Sequence, residues 1–544
     1  MAVETNQAAE IAGRTLQNLD AIGLRDPALL QRIGGQSTST GLSIPGLILM
    51  WKELRSCQPA IIDDEGSTSY RDVAPRIKAI AAALARRGIG PDSSVAVLCR
   101  NHRSFIEAVC GITLTGADAV FMNTGFAGPQ IADVAQREGA SALILDEEFT
   151  SGLTLGARFH VLAAHGPKPK APTLDELATE PPADWSAAAL HGRTIILTSG
   201  TTGTPKGARR KDSSEDQRRI GGMTLIDIMA RLRFSAVSRV LIASPLFHAW
   251  GGSMLVAIFA LGSTVVLASR FDAEATLAAI ERHRVDMLLL VPVMMQRILA
   301  LEPEIRKRYD LSSLRSVSVS GSALPGPLAL AWMDAFGDHL HNVYGSTETG
   351  PVSIAGPEDL RAAPGTTGRP PLGTSIRILS ADGTPLPPGE VGRIFTRTGM
   401  LFDEYTGGGR KQVLDGFMST GDMGHLDADG RLFVEGRDDD MVISGGENVF
   451  PLEIEALLES HPEIQEVAVI GVPDAQYGQR LRAYVVPRAD GALTEAAVKN
   501  FVRDRLARYK VPRDVVFLEE LPRNATGKVL KRVLRQQDET SPTE

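Results

Sequence analysis

A loop rich in glycine and hydroxyl side chains carries the strongest chemical signal in the sequence. A predicted strand at 193–197 leads directly into the segment Thr198-Ser199-Gly200-Thr201-Thr202-Gly203-Thr204-Pro205-Lys206-Gly207. Glycines let backbone N–H groups approach an anion closely, the hydroxyls add donors, and the lysine adds positive charge. The segment therefore predicts a phosphate-binding loop that follows a strand. It is not the loop of P-loop NTPases, because Pro205-Lys206-Gly207 stands where that motif requires G-K-[ST].

Four further segments accompany this loop, and together the five match one known signature in order. The four segments are Tyr344-Gly345-Ser346-Thr347-Glu348-Thr349, Ser419-Thr420-Gly421-Asp422, Gly436-Arg437 with the acidic triplet 438–440, and Pro522-Arg523-Asn524-Ala525-Thr526-Gly527-Lys528. On these residues the chain resembles the adenylate-forming superfamily, which includes acyl-CoA synthetases, peptide-synthetase adenylation domains and firefly luciferase. The match runs from about residue 69 to residue 534.

The resemblance implies a reaction in two halves. A carboxylate attacks the α-phosphate of ATP to give an acyl-adenylate and pyrophosphate, and a thiol then displaces AMP. The first half requires restraint of the phosphates, a divalent cation, and positive charge near the five-coordinate phosphorus. ATP, Mg²⁺ and coenzyme A are therefore the expected cofactors, and the expected partners are small molecules: these compounds and a carboxylic acid.

The same resemblance assigns roles to individual residues. Lys528 is the expected catalytic cation, which contacts the carboxylate and the α-phosphate. Glu348 is the expected Mg²⁺ ligand, because this hard cation prefers oxygen donors; Thr201 is its expected companion ligand, and Thr347 and His248 are further catalytic candidates. The residues expected to contact ATP or CoA are Thr198, Ser199, Gly200, Thr201, Thr202, Gly203, Thr204, Pro205, Lys206, Gly321, Ser322, Asn342, Tyr344, Gly345, Ser346, Asp422, Arg437, Gly445 and Gly446.

Within that set, three groups have distinct expected tasks. Asp422 and Arg437 resemble the pair that grips the ribose hydroxyls, since a carboxylate can accept from both hydroxyls. The stretch around Tyr344 is expected to contact adenine, with 320–322 opposite. Gly445 and Gly446 are expected to shape the CoA tunnel after the domain that carries Lys528 swings about a hinge at Asp439.

The identity of the acid is less firmly indicated. The segment 245–252 resembles the acyl-site lining of fatty- and aryl-CoA ligases, and His248 stands where peptide-synthetase domains usually place an aspartate, which argues against an amino-acid substrate. Segment 123–129 resembles bacterial fatty-acyl-CoA synthetases. Apolar residues in 291–299 could line a hydrocarbon tunnel, and ordinary core packing explains the same stretch equally well. A medium- or long-chain fatty acid is therefore expected. A fatty-acyl-AMP ligase and an aryl or other carboxylic-acid CoA ligase stay open as alternatives.

The sequence pattern predicts alternating strands and helices, and these elements must position the residues named above. The alternation predicts an α/β fold: a large N-terminal domain, 1–437, with parallel sheets flanked by helices and a small β-rich subdomain, and a small mobile α+β domain, 438–544. The stretch 357–390 is rich in proline and glycine and is expected to be a connector.

Composition excludes several other classes of protein. The net charge is −8, which gives no reason to expect nucleic-acid binding, and three cysteines without a C-x-x-C pair exclude a disulfide framework. The uncharged stretch 240–269 is interrupted by proline, histidine and glycine, so it favours strand, helix and strand in a core over a membrane span. We expect a cytoplasmic protein, with peripheral membrane contact and the choice between monomer and homodimer left open.

Overall fold

The computed structural model describes residues 2–38, 41–150, 160–165, 172–180, 192–198, 206–209, 214–444, 447–474, 478–488, 493–524 and 527–540. Within these ranges, strands and helices alternate through most of the chain, and the predicted α/β class is confirmed. No helix in the same ranges is both long enough and apolar enough to cross a membrane.

The strands and helices have the following bounds. The strands are β1 (Ser37–Thr38), β2 (Gly41–Leu42), β3 (Pro59–Asp63), β4 (Gly66–Ser69), β5 (Ser94–Leu98), β6 (Asp118–Phe121), β7 (Ala140–Asp146), β8 (His160–His165), β9 (Thr194–Thr198), β10 (Lys206–Arg209), β11 (Arg239–Ile242), β12 (Thr264–Leu267), β13 (Met287–Leu290), β14 (Ser316–Val319), β15 (Leu340–Ser346), β16 (Gly350–Ala355), β17 (Ser375–Leu379), β18 (Gly392–Arg397), β19 (Glu404–Tyr405), β20 (Val413–Leu414), β21 (Phe417–Leu426), β22 (Leu432–Arg437), β23 (Val442–Ser444), β24 (Glu447–Val449), β25 (Ile464–Asp474), β26 (Gly478–Pro487) and β27 (Asp514–Phe517). The helices are α1 (Ala2–Ala21), α2 (Pro27–Gly34), α3 (Ile44–Leu54), α4 (Tyr70–Arg86), α5 (Arg103–Leu114), α6 (Gly128–Arg137), α7 (Leu174–Thr179), α8 (Glu215–Arg231), α9 (Ala249–Ala260), α10 (Ala273–His283), α11 (Pro292–Leu299), α12 (Pro303–Arg306), α13 (Gly326–Phe336), α14 (Pro357–Ala362), α15 (Pro451–Leu458), α16 (Glu495–Arg503) and α17 (Lys531–Thr540).

Two large sheets form the N-terminal part of the described chain. One has the strand order β19-β10-β9-β6-β5-β7-β8 and the other β16-β15-β14-β13-β11-β12-β3-β4. The inner strands of both are parallel. Antiparallel strands lie at one edge of the first sheet and at both edges of the second, whereas β8 at the other edge of the first sheet is parallel to β7. The parallel strands are short and largely apolar and buried: every residue of β13 is apolar and buried, and in β5 all but the first residue are, because helices cover both faces.

The main hydrophobic core lies between these sheets. Side chains of α3, α4, α5 and α9 join inward-facing residues of β5, β11 and β12 in one buried cluster. The uncharged stretch 240–269 forms β11, α9 and β12 in this region, so its interpretation as strand, helix and strand is confirmed. The core therefore holds both sheets in fixed register beneath the loops that carry the predicted site.

Two smaller sheets follow. Strands β17, β18, β21, β20 and β22 form an antiparallel sheet, and β24, β23, β26, β25 and β27 form the sheet of a C-terminal α+β unit. The expectation of a plain connector at 357–390 is wrong in part, because α14 lies there and β17 pairs with β18. Flanking prolines and glycines hid that strand in the sequence. The domain boundary between 437 and 438 stays a prediction; it falls where β22 ends and a single helical turn, Asp438–Asp440, begins.

Candidate active site

A cavity of about 1930 Å³ lies between the large sheets, the antiparallel sheet and the C-terminal unit. Its walls include the residues that follow β14, the end of β15, the facing strands β21 and β22, and the turn that carries Lys528. Ligands of open α/β sheets typically bind beyond the carboxyl ends of the parallel strands. The cavity occupies that position, and the small C-terminal unit closes it from the opposite side.

Asp422 and Arg437 lie side by side in this cavity. They are direct partners in the antiparallel register of β21 and β22, and Arg437 Nε lies 3.5 Å from Asp422 Oδ1. The Tyr344 hydroxyl donates to Asp422 Oδ2 at 2.5 Å. Burial raises the pKa of Asp422, while the hydrogen bond from Tyr344 and the charge of Arg437 oppose that rise. The arrangement orients one carboxylate into the cavity, as a partner for vicinal hydroxyls requires.

Glu348 lies in the turn between β15 and β16. The Ser346 N–H donates to Thr349 Oγ1 at 3.1 Å and stabilises the turn. Glu348 is only 8% exposed, and its Oε1 accepts a hydrogen bond from the Tyr405 hydroxyl at 2.9 Å. Its carboxylate also belongs to the cavity lining.

These contacts fit a magnesium ligand. The hydrogen bond from Tyr405 fixes the orientation of the carboxylate while it leaves the other oxygen available. Mg²⁺ is commonly held by one or two carboxylates together with phosphates and water.

Tyr405 also anchors the end of the predicted phosphate loop. It lies on β19, which pairs with β10 so that Ala208 faces Tyr405. The Lys206 Nζ lies 6.0 Å from the centre of the Tyr405 ring, a cation–π arrangement. The lysine at the end of the loop and the carboxylate expected to bind magnesium therefore share one tyrosine.

Lys528 enters the cavity from the C-terminal unit. It lies in a tight turn in which the Asn524 N–H donates to the Lys528 carbonyl at 2.9 Å and the Lys528 N–H donates to Asn524 Oδ1 at 2.8 Å. Burial, and then the positive charge of Arg437, lower the pKa of Lys528, while Asp422 and Asp440 oppose this. The ammonium group therefore shares its surroundings with the predicted ribose pair.

His248 precedes α9 on the apolar side of the cavity. Its ring packs against Phe247, with centroids 4.4 Å apart, and no described residue forms a hydrogen bond with its buried Nε2. Burial lowers the pKa of His248 to about 4, so the side chain is neutral near pH 7. Phe121, Ile196 and Met254 belong to the same lining. A neutral, largely apolar wall suits an uncharged acyl or aryl group.

Of the two interpretations of 291–299, a hydrocarbon tunnel and core packing, the structure supports mainly core packing. Met294, Met295 and Ile298 of α11 pack in a hydrophobic cluster with α10 and α13, and only Val291, Pro292, Val293 and Gln296 of this segment reach the cavity. Only one face of α11 borders the cavity, so most of the apolar side chains in this segment pack in the core.

The cavity brings together most of the residues singled out from the sequence. Those that line it are Thr198, Lys206, His248, Gly321, Ser322, Asn342, Tyr344, Gly345, Ser346, Thr347, Glu348, Asp422, Arg437 and Lys528. The remaining predicted contacts, Ser199, Gly200, Thr201, Thr202, Gly203, Thr204, Pro205, Gly445 and Gly446, lie outside the described residues. The roles assigned to all of these residues stay predictions.

Two lining residues were missed as site residues. Tyr405 lies outside the five matching segments, although its hydroxyl donates to Glu348. Lys411 follows a run of three glycines and belongs to none of the five segments, so nothing in the sequence marked it.

Comparison with known proteins decides the family. The description "AMP-binding enzyme" matches residues 53–406, and "AMP-binding enzyme C-terminal domain" matches residues 453–528. The chain belongs to the AMP-binding enzyme family. Its adenylate-forming chemistry is therefore confirmed at the level of the superfamily.

Relatives of this AMP-binding enzyme include two aryl-CoA ligases. Indoleacetate–CoA ligase of Aromatoleum aromaticum is 34% identical over 493 residues, covering 88% of this chain and 94% of that protein. A feruloyl-CoA synthase of Amycolatopsis is 34% identical over 476 residues, covering 86% and 93%. The solved structure of O-succinylbenzoate coenzyme A synthetase from Bacillus subtilis with ATP and magnesium ion has a TM-score of 0.75 and 28% identity, covering 90% and 98%.

These comparisons establish the reaction class of this AMP-binding enzyme. It is an AMP-forming acid–CoA ligase that works through an acyl-adenylate, with ATP, Mg²⁺ and CoA as cofactors and small molecules as partners. The fatty-acid type expected from the sequence is not supported, because the relatives named above act on acids that carry an aromatic ring.

Proposed function

We propose that this protein is a CoA ligase for an aromatic carboxylic acid. The observation that carries the proposal is the set of relatives that match nearly the whole chain and are named for indoleacetate, ferulate and 2-succinylbenzoate. The aryl alternative of the sequence analysis is thereby preferred to the fatty acid. A neutral His248 among apolar side chains supports it, since aromatic acids offer a flat ring and at most a few polar groups.

In the first half-reaction, the residues of this chain would act on the nucleotide in three places. Asp422 accepts from the ribose hydroxyls, while Arg437 and Tyr344 hold its carboxylate in position. Lys528 presents its ammonium group to the carboxylate of the acid and to the α-phosphate. Positive charge fixed at that point favours the transition state, in which negative charge accumulates on the phosphoryl oxygens.

Glu348 would hold the magnesium ion. Bound there, Mg²⁺ would neutralise negative charge on the phosphates. Tyr405 keeps the Glu348 carboxylate oriented, and the same ring lies beside Lys206 at the end of the phosphate loop. This pairing would link metal binding to the position of the loop.

In the second half-reaction, the groups of the C-terminal unit that served adenylation leave the cavity and CoA enters. We propose that the C-terminal unit, from 438 onward, rotates so that Lys528 leaves and 444–448 approaches. The C-terminal unit that carries Lys528 is joined to the large domain through a short segment at the end of β22, which suits a hinge.

A pyrophosphate-release assay over a panel of acids tests the proposed substrate class. Indoleacetate, ferulate, 2-succinylbenzoate and benzoate are compared with straight-chain acids of similar carbon number, each with and without CoA. We expect the highest kcat/KM with an aromatic acid and CoA-dependent release of AMP. A clear preference for straight-chain acids would overturn the aromatic proposal and restore the fatty-acid interpretation.

A matched variant checks that the ring occupies the wall beside His248. Met254 is buried on α9 and lines the same cavity. Met254→Ala enlarges the apolar side, so KM for the best aromatic acid should change while KM for ATP stays constant. Ile258→Ala is the control, because Ile258 is on the same helix and fully buried but faces the hydrophobic core.

A further inference from the structure

Lys411 is a cation of the active-site cavity to which no role has yet been given. Its Nζ donates to the carbonyl oxygen of Thr420. A Cβ placed on Gly421 would lie 3.5 Å from Lys411 Nζ and 3.6 Å from Arg437 Nη2. Both cations therefore flank the backbone immediately before Asp422. Lys411 is thus a neighbour of the predicted ribose pair.

Lys411 lines the same cavity as the two predicted acidic ligands of the nucleotide site. Glu348, the predicted metal ligand, and Asp422, the predicted ribose ligand, are its main electrostatic partners of opposite sign. Burial lowers its pKa, and these two carboxylates oppose that effect. In ATP the α-phosphate joins the ribose to the phosphates that bind metal, so a cation that lines this cavity beside the predicted ribose pair is placed to reach it.

The hydrogen-bonding capacity of Lys411 is only partly used. An ammonium group has three N–H donors, and the hydrogen bond seen here goes to a neutral carbonyl. Within the described ranges, no carboxylate oxygen lies within ion-pair distance of its Nζ. Lys411, Arg437 and Lys528 form a group of three cations around Asp422, and such a group favours an additional anion.

We propose that Lys411 is a further catalytic residue, which contacts the α-phosphate from the side of the large domain in both half-reactions. The inference rests on the ATP-dependent part of the proposed function and not on the identity of the acid. In adenylation, the bond between carboxylate oxygen and phosphorus forms, the bond from phosphorus to the bridging oxygen breaks, and pyrophosphate leaves with the electron pair. Lys411 stabilises the charge on the phosphoryl oxygens during this exchange.

The position of Lys411 in the chain separates its role from that of Lys528. Lys411 precedes the predicted hinge, so it stays in place when the C-terminal unit rotates. In thioester formation, the sulfur–carbon bond forms, the carbon–oxygen bond to the phosphate breaks, AMP leaves with the electron pair, and the thiol proton passes to solvent. Lys411 remains available to stabilise the departing phosphate oxygen, whereas Lys528 does not.

Binding of AMP and of adenosine by Lys411→Met tests the phosphate contact without any acid. Loss of one charge-assisted contact should weaken AMP binding by about 10- to 100-fold, while adenosine, which has no phosphate, binds as before. Lys307→Met, which removes an exposed lysine after α12, is the matched control and should bind both ligands normally. Equal weakening of AMP and adenosine would overturn the proposal, because it indicates a general disturbance of the site.

Separate assays of the two half-reactions test the second part. Lys411→Met should slow both pyrophosphate release and thioester formation from supplied acyl-adenylate, and Lys411→Arg should restore part of each rate. Loss confined to adenylation, or no loss in either half, would overturn a role in both steps. If Lys411→Met does not fold, Lys411→Gln, whose amide retains an N–H donor without the charge, provides the same comparison.

The two proposals can fail independently. The AMP and adenosine titrations contain no acid, so their outcome leaves the substrate class untouched. An acid panel that favours straight chains, in turn, leaves the predicted phosphate contact of Lys411 as it stands.

Discussion

A glycine in the turn that carries Lys528 provides a direct test of domain closure. Gly527 has φ +78°, and a Cβ added to it would lie 2.3 Å from Cγ1 of Val293 in the large domain. Val293 is 9% exposed and belongs to α11, where a β-branched side chain has essentially one rotamer. Gly527→Ala should therefore obstruct the arrangement in which Lys528 reaches the cavity.

The size of the effect follows from two separate costs. An L-residue in the left-handed region costs about 1–2 kcal/mol, and this cost applies wherever the C-terminal unit lies. Overpacking against Val293 costs about 1–3 kcal/mol, and this cost applies only to the closed arrangement. Since about 1.4 kcal/mol corresponds to a factor of ten in rate, we expect adenylation to slow by about 5- to 150-fold while thioester formation is spared.

Two further variants separate these costs. Gly430→Ala introduces an alanine at φ +74° in the turn between β21 and β22, where a Cβ meets no atom within 4 Å, so it reports the backbone cost alone. Val293→Ala removes the obstructing methyl group and should restore adenylation in the Gly527→Ala background. The rates are measured as pyrophosphate release and as thioester formation from supplied acyl-adenylate.

The reasoning would be refuted by either of two results. Adenylation by Gly527→Ala could match that of Gly430→Ala, which would mean that Gly527 does not contact Val293 during catalysis. Alternatively, both half-reactions could fall together without rescue by Val293→Ala, which would indicate a local loss of structure rather than a specific obstruction.

Two other predictions concern Lys528 and His248. Lys528→Ala should slow adenylation by about 100- to 1000-fold, the usual loss for one transition-state donor, and leave thioester formation from acyl-adenylate intact; equal loss in both halves would contradict its assignment. His248 has its pKa lowered to about 4 in the folded protein, so the unfolded chain binds a proton at higher pH and the free energy of unfolding falls as the pH drops from about 6.5 towards 4. His248→Gln should therefore lose less stability than the wild type between about pH 7 and pH 5, by at most about 1.4 kcal/mol per pH unit, as measured by urea unfolding. An unchanged dependence on pH would show that His248 is not buried as a neutral group.

Much of the secondary structure could be predicted from the sequence alone. The apolar pattern of the sequence indicates helices at 103–114 and 273–283 and a short alternating segment at 392–397, and these are the bounds of α5, α10 and β18. Apolar periodicity and turn residues act over a few positions, so the local pattern is sufficient there. Strand β17 was not predicted, because its short alternation of polar and apolar residues lies among prolines and glycines. Only its pairing with β18 defines it as a strand.

The functional residues also divide into those that local sequence identifies and those that only the tertiary structure brings together. The loop from Thr198, the turn with Glu348 and the segment with Lys528 are contiguous in sequence, so their chemistry could be read locally. The hydrogen bonds from Tyr344 to Asp422 and from Tyr405 to Glu348 join residues 78 and 57 positions apart. No local pattern encodes such pairs, because they depend on which strands lie side by side.

The sequence by itself determined the reaction class of this protein. Five short segments, each continuous in the chain, carry the groups that the reaction requires. Tertiary structure decided which side chains meet: Arg437 beside Asp422 across two strands, Lys411 beside both, and Gly527 against Val293. It also decided that most of the apolar run at 291–299 is core rather than channel. Side-chain direction and distance between remote segments are set by the packing of the whole chain, and the acid pocket and the closed arrangement depend on them.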